Sequence, residues 1–433
     1  MAKINKFLAS YSLKIKDCGV SLKNTDVNPP KAVVSRFVRI FKDVSDRRAQ
    51  GMIDYPLIEI LLVAFLAVLA GASTWGELHD FGVAKERWLK KFLKLKNGIP
   101  SHDTFERVFS LTDAKELQDA TVEFLLENIH AIKKVLPRPA DEYRHFCVDG
   151  KEQRGTGRKY DTEDKIRNLQ TLHIYDASNE ICIHSEAIDE KTNEIPVAQE
   201  ALRKMSLKDS IVTFDALHMQ KETVEIIRAG KGHYVGGLKG NQAGLLEEAA
   251  AYFNEDDLLA FYKSKGDYIR TADKAHGKIE IREYYMVRPT KRKIIKEWKG
   301  LNAFICCIKT IKGTRDDSQT VETRYYAASI DDIELCAEAI RGHWSVENQL
   351  HWHLDYSFNE DENTTMDKNA FHCLSLMNKM ALTLCKMTKA ITNVPSIRRQ
   401  RKRFGWAYEE SLSILLYCFD EDSIRKALTS VKA

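Results

Sequence analysis

The chain has no CxxC pair, no HExxH, no glycine-rich phosphate loop and no apolar run long enough to span a bilayer. Each absence removes a class of protein. The nine cysteines, Cys18, Cys147, Cys182, Cys306, Cys307, Cys336, Cys373, Cys385 and Cys418, are scattered, several of them within apolar runs. That pattern excludes a disulfide scaffold and suits reduced, buried thiols in a cytoplasmic protein. With 9 Pro and 21 Gly in 433 residues, neither a collagen-like nor a mainly disordered chain fits. The longest apolar stretch, Leu57 to Ala72, contains Glu59 and falls short of the roughly 20 residues a bilayer demands, so it is expected as a buried helix and no membrane partner is expected. The opening MAKINKFLASYSLKIKD lacks an apolar core followed by a small-residue cleavage site, so secretion is not expected. RGTGR at 154–158 and VGGLKG at 235–240 are neither a Walker loop nor a dinucleotide fingerprint, which removes support for nucleotide hydrolysis.

What is present is a modest positive charge, and it sits at the front. Residues 1–140 carry 22 Lys and Arg against 16 Asp and Glu, whereas 141–433 carry 44 against 46. Six basic residues, Lys85, Arg87, Lys90, Lys91, Lys94 and Lys96, lie beside the turn GIPS, where Ser101 is placed to cap a following helix. Helix, turn and helix with exposed positive charge is an arrangement that reads duplex DNA, although a helical bundle with a wet basic side explains the same residues. Two later clusters, KRKIIKEWK at 291–299 and RRQRKRF at 398–404, fit either a phosphate grip or a solvated loop.

Periodicity divides the chain. Residues 1–140 are expected to be all helical, and to form a DNA-binding domain. After VLPRPADEYR the pattern changes to short apolar runs at His145–Val148, Leu169–Tyr175 and Ile181–Ala187. A helix (Val197–Met205), a strand (Ser210–Phe214), a helix (Lys221–Ala229) and a strand (His233–Leu238) follow. Three strands and then alternating helices and strands is the ribonuclease H-like order. The expected fold is therefore α/β: a ribonuclease H-like mixed sheet flanked by helices, whose first part is 141–240. A separate β-rich insertion is expected over 241–330, the second part of the sheet domain over 331–395, and a basic linker with a helical tail over 396–433.

Three carboxylates stand out in this layout. Asp149 follows the apolar run HFCV, and Asp215 follows SIVTF, so each is expected where a buried strand leaves the core. Glu347 lies mid-helix in HWSVENQLHW, a helix able to pack across the sheet. Three acids meeting there repel one another unless a divalent cation neutralises them, and Mg2+ or Mn2+ suits oxygen ligands best. Two such ions about 4 Å apart can hold a phosphodiester, one activating the attacking oxygen and the other stabilising the leaving one. Lys151 and Lys239 are candidates to offset charge at the phosphoryl group.

His343, Glu347 and His351 recur every four residues on one helix face, beside Asn348. Their line spans about 12 Å, too long for one zinc ion to bind all three. His343 or His351 is expected instead to orient Glu347, to donate to a DNA phosphate, or to fill a polar interface. Asp355, eight residues past Glu347, is a further candidate for the metal shell or for holding a basic neighbour.

These strings resemble one family. DGKEQRG from Asp149, FDALH at 214–218, GGLKGNQ at 236–242, and above all HWSVENQLHWHLD at 343–355 with NEDE at 359–362 resemble the DDE transposases of bacterial insertion sequences, specifically the H-repeat-associated branch. The resemblance covers about residues 30–430. It implies a ribonuclease H-like catalytic domain with Asp149, Asp215 and Glu347 as the metal-binding triad, and cutting and rejoining of terminal inverted repeats into target DNA by at least a dimer on double-stranded DNA. A broader transposase group carries Tyr, Arg and Lys seven before, four before and seven after the Glu; here Ile340, His343 and Leu354 stand there, so no hairpin intermediate is assigned. Two other readings share these residues: a structure-specific nuclease with the same metal site, and a catalytically silent DNA-binding protein derived from a transposase.

Overall fold

A computed structural model describes residues 29–409 apart from 50, 52, 136–142, 158–166, 189–192, 276, 315–317 and 393. The expected change of periodicity near 140 and the tail expected beyond 409 lie outside the described residues, as do Cys18 and Cys418. The front is helical: α1 (Pro29–Phe41), α2 (Leu57–Ala70), α3 (Trp75–Leu89), α4 (His102–Leu111) and α5 (Ala114–Val135). Local chemistry sets their ends. Gly71 turns the chain after α2 at φ +121°, a value side chains resist. Thr74 and Glu77 form a reciprocal capping box on α3, and the Ser101 hydroxyl accepts from the Thr104 amide at the start of α4.

The sheet begins with β1 (Arg144–Gln153), β2 (Leu169–Asp176) and β3 (Ile181–Ile188), continues through α6 (Glu194–Lys204), β4 (Ser210–Phe214), α7 (Lys221–Ala229) and β5 (His233–Leu238). Then come α8 (Ala243–Ala251), α9 (Asp256–Lys265), β6 (Tyr268–Ala275), β7 (Lys278–Val287), α10 (Arg292–Glu297), β8 (Ala303–Gly313) and β9 (Gln319–Ala328). Strand order is β3-β2-β1-β4-β5-β9-β8-β7-β6. β1 pairs antiparallel with β2 and parallel with β4, and β4 is parallel to β5. The first five strands thus have the ribonuclease H-like order read from the sequence. The four strands expected as a separate excursion instead prolong that sheet, because β9 pairs antiparallel with β5.

After the sheet come α11 (Ile333–His343), a π-helical turn (Val346–His351), α12 (Trp352–Phe358), α13 (Lys368–Thr392) and α14 (Ile397–Trp406). Alternation along the strands sorts side chains between two faces. Phe146, Val148, Val212 and Phe214 pack with Ala198, Leu202, Val224 and Ile227 of α6 and α7. Cys147 and Tyr175 point the other way, into a core shared by the front helices, the turn at Val346 and Leu350, and α13. That core is cross-tied by polar contacts: the Trp75 indole donates to Thr365 at 2.8 Å, and the Asn369 amide donates to the carbonyls of Phe109, Ser110 and Thr112.

The basic run 398–404 is a helix, not a loop. Within it Arg401 is buried, donating to the Val68 and Ala72 carbonyls and to that of Ser357, with its guanidinium 3.9 Å over the Phe358 ring. The 291–299 run holds the short helix α10. Among the described residues no single helix is long and apolar enough to cross a membrane; α2 and α3 pass that test together only as a pair bent by 98°.

Candidate functional site

Asp149 does not end its strand as expected. β1 runs on to Gln153 because β2 continues to pair with it, and Asp149 stands opposite His173. It is two residues past Cys147, hence on the face that carries α11, and the Cys147 thiol lies 3.6 Å from the Gly342 carbonyl. On the neighbouring parallel strand Phe214 pairs with Val148, so Asp215 follows β4 at the level where Asp149 sits in β1. The Asp215 carboxylate accepts from the Leu217 amide at 2.9 Å.

The Glu helix crosses these strands. The His343 ring contacts the Thr213 hydroxyl of β4 at 3.1 Å, and the His351 ring contacts His173 of β2 at 2.9 Å. Glu347 lies between them on the π-helical turn, where the sequence implied a regular α-helix. Such a wide turn is an insertion that recurs at functional sites. Ligand atoms of Asp149, Glu347 and His351 lie within 4.8 Å of one another, while Asp215 lies outside that set. His351 Nδ1 is 3.6 Å from both Asp149 Oδ2 and Glu347 Oε2.

Electrostatics record the crowding. Burial, then the charges of Glu347 and Asp215, push the Asp149 carboxyl up to about 8. Glu347 is held below its ordinary value, chiefly by His351. A carboxyl that ionises only with difficulty beside two acids calls for a positive charge, and two carboxylates with one imidazole are a donor set that fits a divalent cation.

The other expected residues divide. Lys151 is buried, donating to Asp355 Oδ1 at 2.5 Å with Asp361 at 3.5 Å, so Asp355 holds a basic neighbour. Lys239 and Asn348 are exposed. His343 is pushed down to about 4 by burial, so it is neutral at physiological pH. Three residues escape a reading of the sequence. His173 is buried behind His351; Glu194 lies against Gly150, where a Cβ would strike its carboxylate, and its charge also raises Asp149; the buried His218 faces Glu194 at 3.5 Å. His173 carried a readable signal, since it stands between the apolar Leu172 and Ile174 and a histidine is a poor core residue. Glu194 at a helix start carried none.

Sequence comparison supplies the family. Residues 140–384 match the model described as transposase DDE domain, and 38–125 match the one described as DDE_Tnp_1-associated. The chain belongs to the DDE transposase family. Its relatives include the "Putative transposase YncI" of Escherichia coli O157:H7, 32% identical over 365 residues, covering 83% of this chain and 89% of that protein. The "H repeat-associated putative transposase YhhI" of Escherichia coli K12 is 29% identical over 366 residues, covering 83% and 92%. A solved piggyBac transposase synaptic complex with hairpin DNA aligns over 97% of this chain and 85% of that one at 11% identity, with a TM-score of 0.38.

Proposed function

We propose that this protein is a DNA transposase that hydrolyses phosphodiester bonds at the ends of an insertion sequence and joins the freed ends to target DNA. Asp149, Asp215 and Glu347 would hold Mg2+ or Mn2+, two ions in all. The observation carrying this reading is the approach of Glu347 to Asp149 across 198 positions of sequence, with Asp215 at the same level on the adjacent strand. Bound there, divalent cations would supply positive charge to the attacking and leaving oxygens.

The protein's own groups prepare that site. Asp149 is fixed by strand pairing, Asp215 follows the last paired residue of β4 and accepts from the Leu217 amide, and Glu347 is carried by the π-helical turn. The Lys151–Asp355 pair holds β1 against α12 just behind Asp149. The helical front and its basic turn would grip terminal repeats as double-stranded DNA, with a dimer bringing two ends together. Among the described residues seven buried, free cysteines suit a reducing, cytoplasmic setting.

The test is a strand-transfer assay with terminal-repeat duplexes and Mg2+ or Mn2+. Glu347→Ala is expected to abolish cleavage and joining while leaving most duplex affinity, because it removes a cation ligand and not the helical front. Hydrolysis without joining by the unaltered protein would indicate a nuclease, and duplex binding with no product a silent derivative. A fully active Glu347→Ala would overturn the assignment of the triad.

A further inference from the structure

His351 is the nitrogen donor among the three groups that converge. Its side chain is only 6% exposed, and Nδ1 stands 3.6 Å from each carboxylate. That is too long for a good hydrogen bond to either. It is the spacing of donors arranged around a common point, since ligands of one six-coordinate ion with bonds of about 2.1 Å stand roughly 3–4 Å apart.

Behind the ring, Nε2 meets His173 Nδ1 at 2.9 Å. His173 is set by backbone register opposite Asp149 and is fully buried. At that contact one ring nitrogen donates and the other accepts. When His351 donates from Nε2, its Nδ1 is left as a lone pair facing Asp149 and Glu347, and the His173 hydrogen goes to its Nε2. That nitrogen is buried without a partner, so holding the hydrogen there has a cost that cation binding through His351 must outweigh. A metal-binding imidazole that donates its other N–H to a fixed acceptor is the usual outer-shell arrangement.

We propose that His351 is a third protein ligand, through Nδ1, to the cation held by Asp149 and Glu347, with His173 setting its tautomer, so that the site favours Mn2+ over Mg2+. This rests on the reading of those two carboxylates as cation ligands. The preference follows because Mg2+ keeps to oxygen donors, while an imidazole raises affinity along the first transition row.

The experiment titrates Mn2+ alone into the full-length, DNA-free protein. Free Mn2+ is read by electron paramagnetic resonance, and nitrogen coupling to the bound ion by its pulsed form. Expected is a bound Mn2+ with 14N coupling that Mg2+ displaces only in large excess. His351→Gln should remove the coupling and weaken Mn2+ at least about tenfold, and His173→Leu should weaken it about 10–100-fold. His351→Asp keeps a ligand and guards against a folding defect: it should bind Mn2+ without nitrogen coupling and narrow the preference over Mg2+. Tight Mn2+ binding without 14N coupling, or coupling unchanged in both His351 variants, overturns this inference and leaves the carboxylate reading standing. Mn2+ binding unaffected by Asp149→Asn and Glu347→Gln overturns that reading and this inference with it.

Discussion

Gly342 lies directly on the His145 ring: a Cβ there would be 2.6 Å from His145 Cε1 and 2.7 Å from Nδ1. The absence of a side chain lets the end of α11 lie on β1, and this contact fixes how deeply Glu347, five residues on, reaches over the sheet. His145 cannot swing aside freely, because its Nε2 meets the Thr213 hydroxyl at 2.9 Å.

Gly342→Ala is therefore expected to cost about 1–3 kcal/mol in urea unfolding, the range for an overpacked interior. It should also reduce cleavage more than a variant of equal stability loss in β6 or β7. Adding His145→Ala makes room and should recover part of both; no recovery would show that the contact does not position the helix.

Acid should unfold this protein early. Burial depresses His145 and His372 to about 3 and His353 to about 4, from an ordinary 6.5. Above 6.5 the three are neutral in folded and unfolded chains alike. Between 6.5 and about 4 only the unfolded chain binds their protons, so stability falls as pH falls through that window. At pH 5 the fully buried His145 and His372 each contribute a loss of about 2 kcal/mol, and the part-exposed His353 contributes less. Urea midpoints between pH 7 and 5 should fall accordingly, and a flat profile would contradict these burial effects.

Arg401 joins three carbonyls, those of Val68 and Ala72 at and just past the end of α2 and that of Ser357 in α12. Arg401→Met should cost about 3 kcal/mol by leaving buried acceptors unmet. Arg401→Lys should restore little, since one ammonium cannot reproduce the planar fork. Thermal melts of the two variants would decide this; a lysine variant as stable as the parent would refute the account.

The turn between α3 and α4 can be tested by salt. Arg87, Lys94 and Lys96 are exposed there. Replacing all three with Gln should weaken duplex binding regardless of sequence. The slope of log affinity against log salt should become shallower by about 0.9 for each phosphate that is no longer neutralised. An unchanged slope would move the grip elsewhere.

Much of the sheet was legible because short apolar runs between turns leave few choices. Ser210–Phe214, Lys221–Ala229, His233–Leu238 and Lys278–Val287 are the elements observed, to the residue. What failed were long-range effects. Asp149 reads as a strand end because it and Gly150 break the apolar run, yet β2 keeps pairing four residues beyond. Periodicity could not reveal that β9 would join β5, nor that the Glu helix would widen at Val346–His351. The basic composition of 398–404 concealed Arg401, whose burial depends on carbonyls more than 40 and 300 positions away. Of the site, the acids were visible by their place after apolar strands, whereas Glu194 and His218 enter only through tertiary contacts.

The core that α13 shares with the front helices has an engineering consequence. The front helices within residues 29–135 cannot be exchanged with a relative's alone, because their inner surface packs against α13 residues between 370 and 385 and is tied to it by Asn369. A workable chimera has to carry both stretches together.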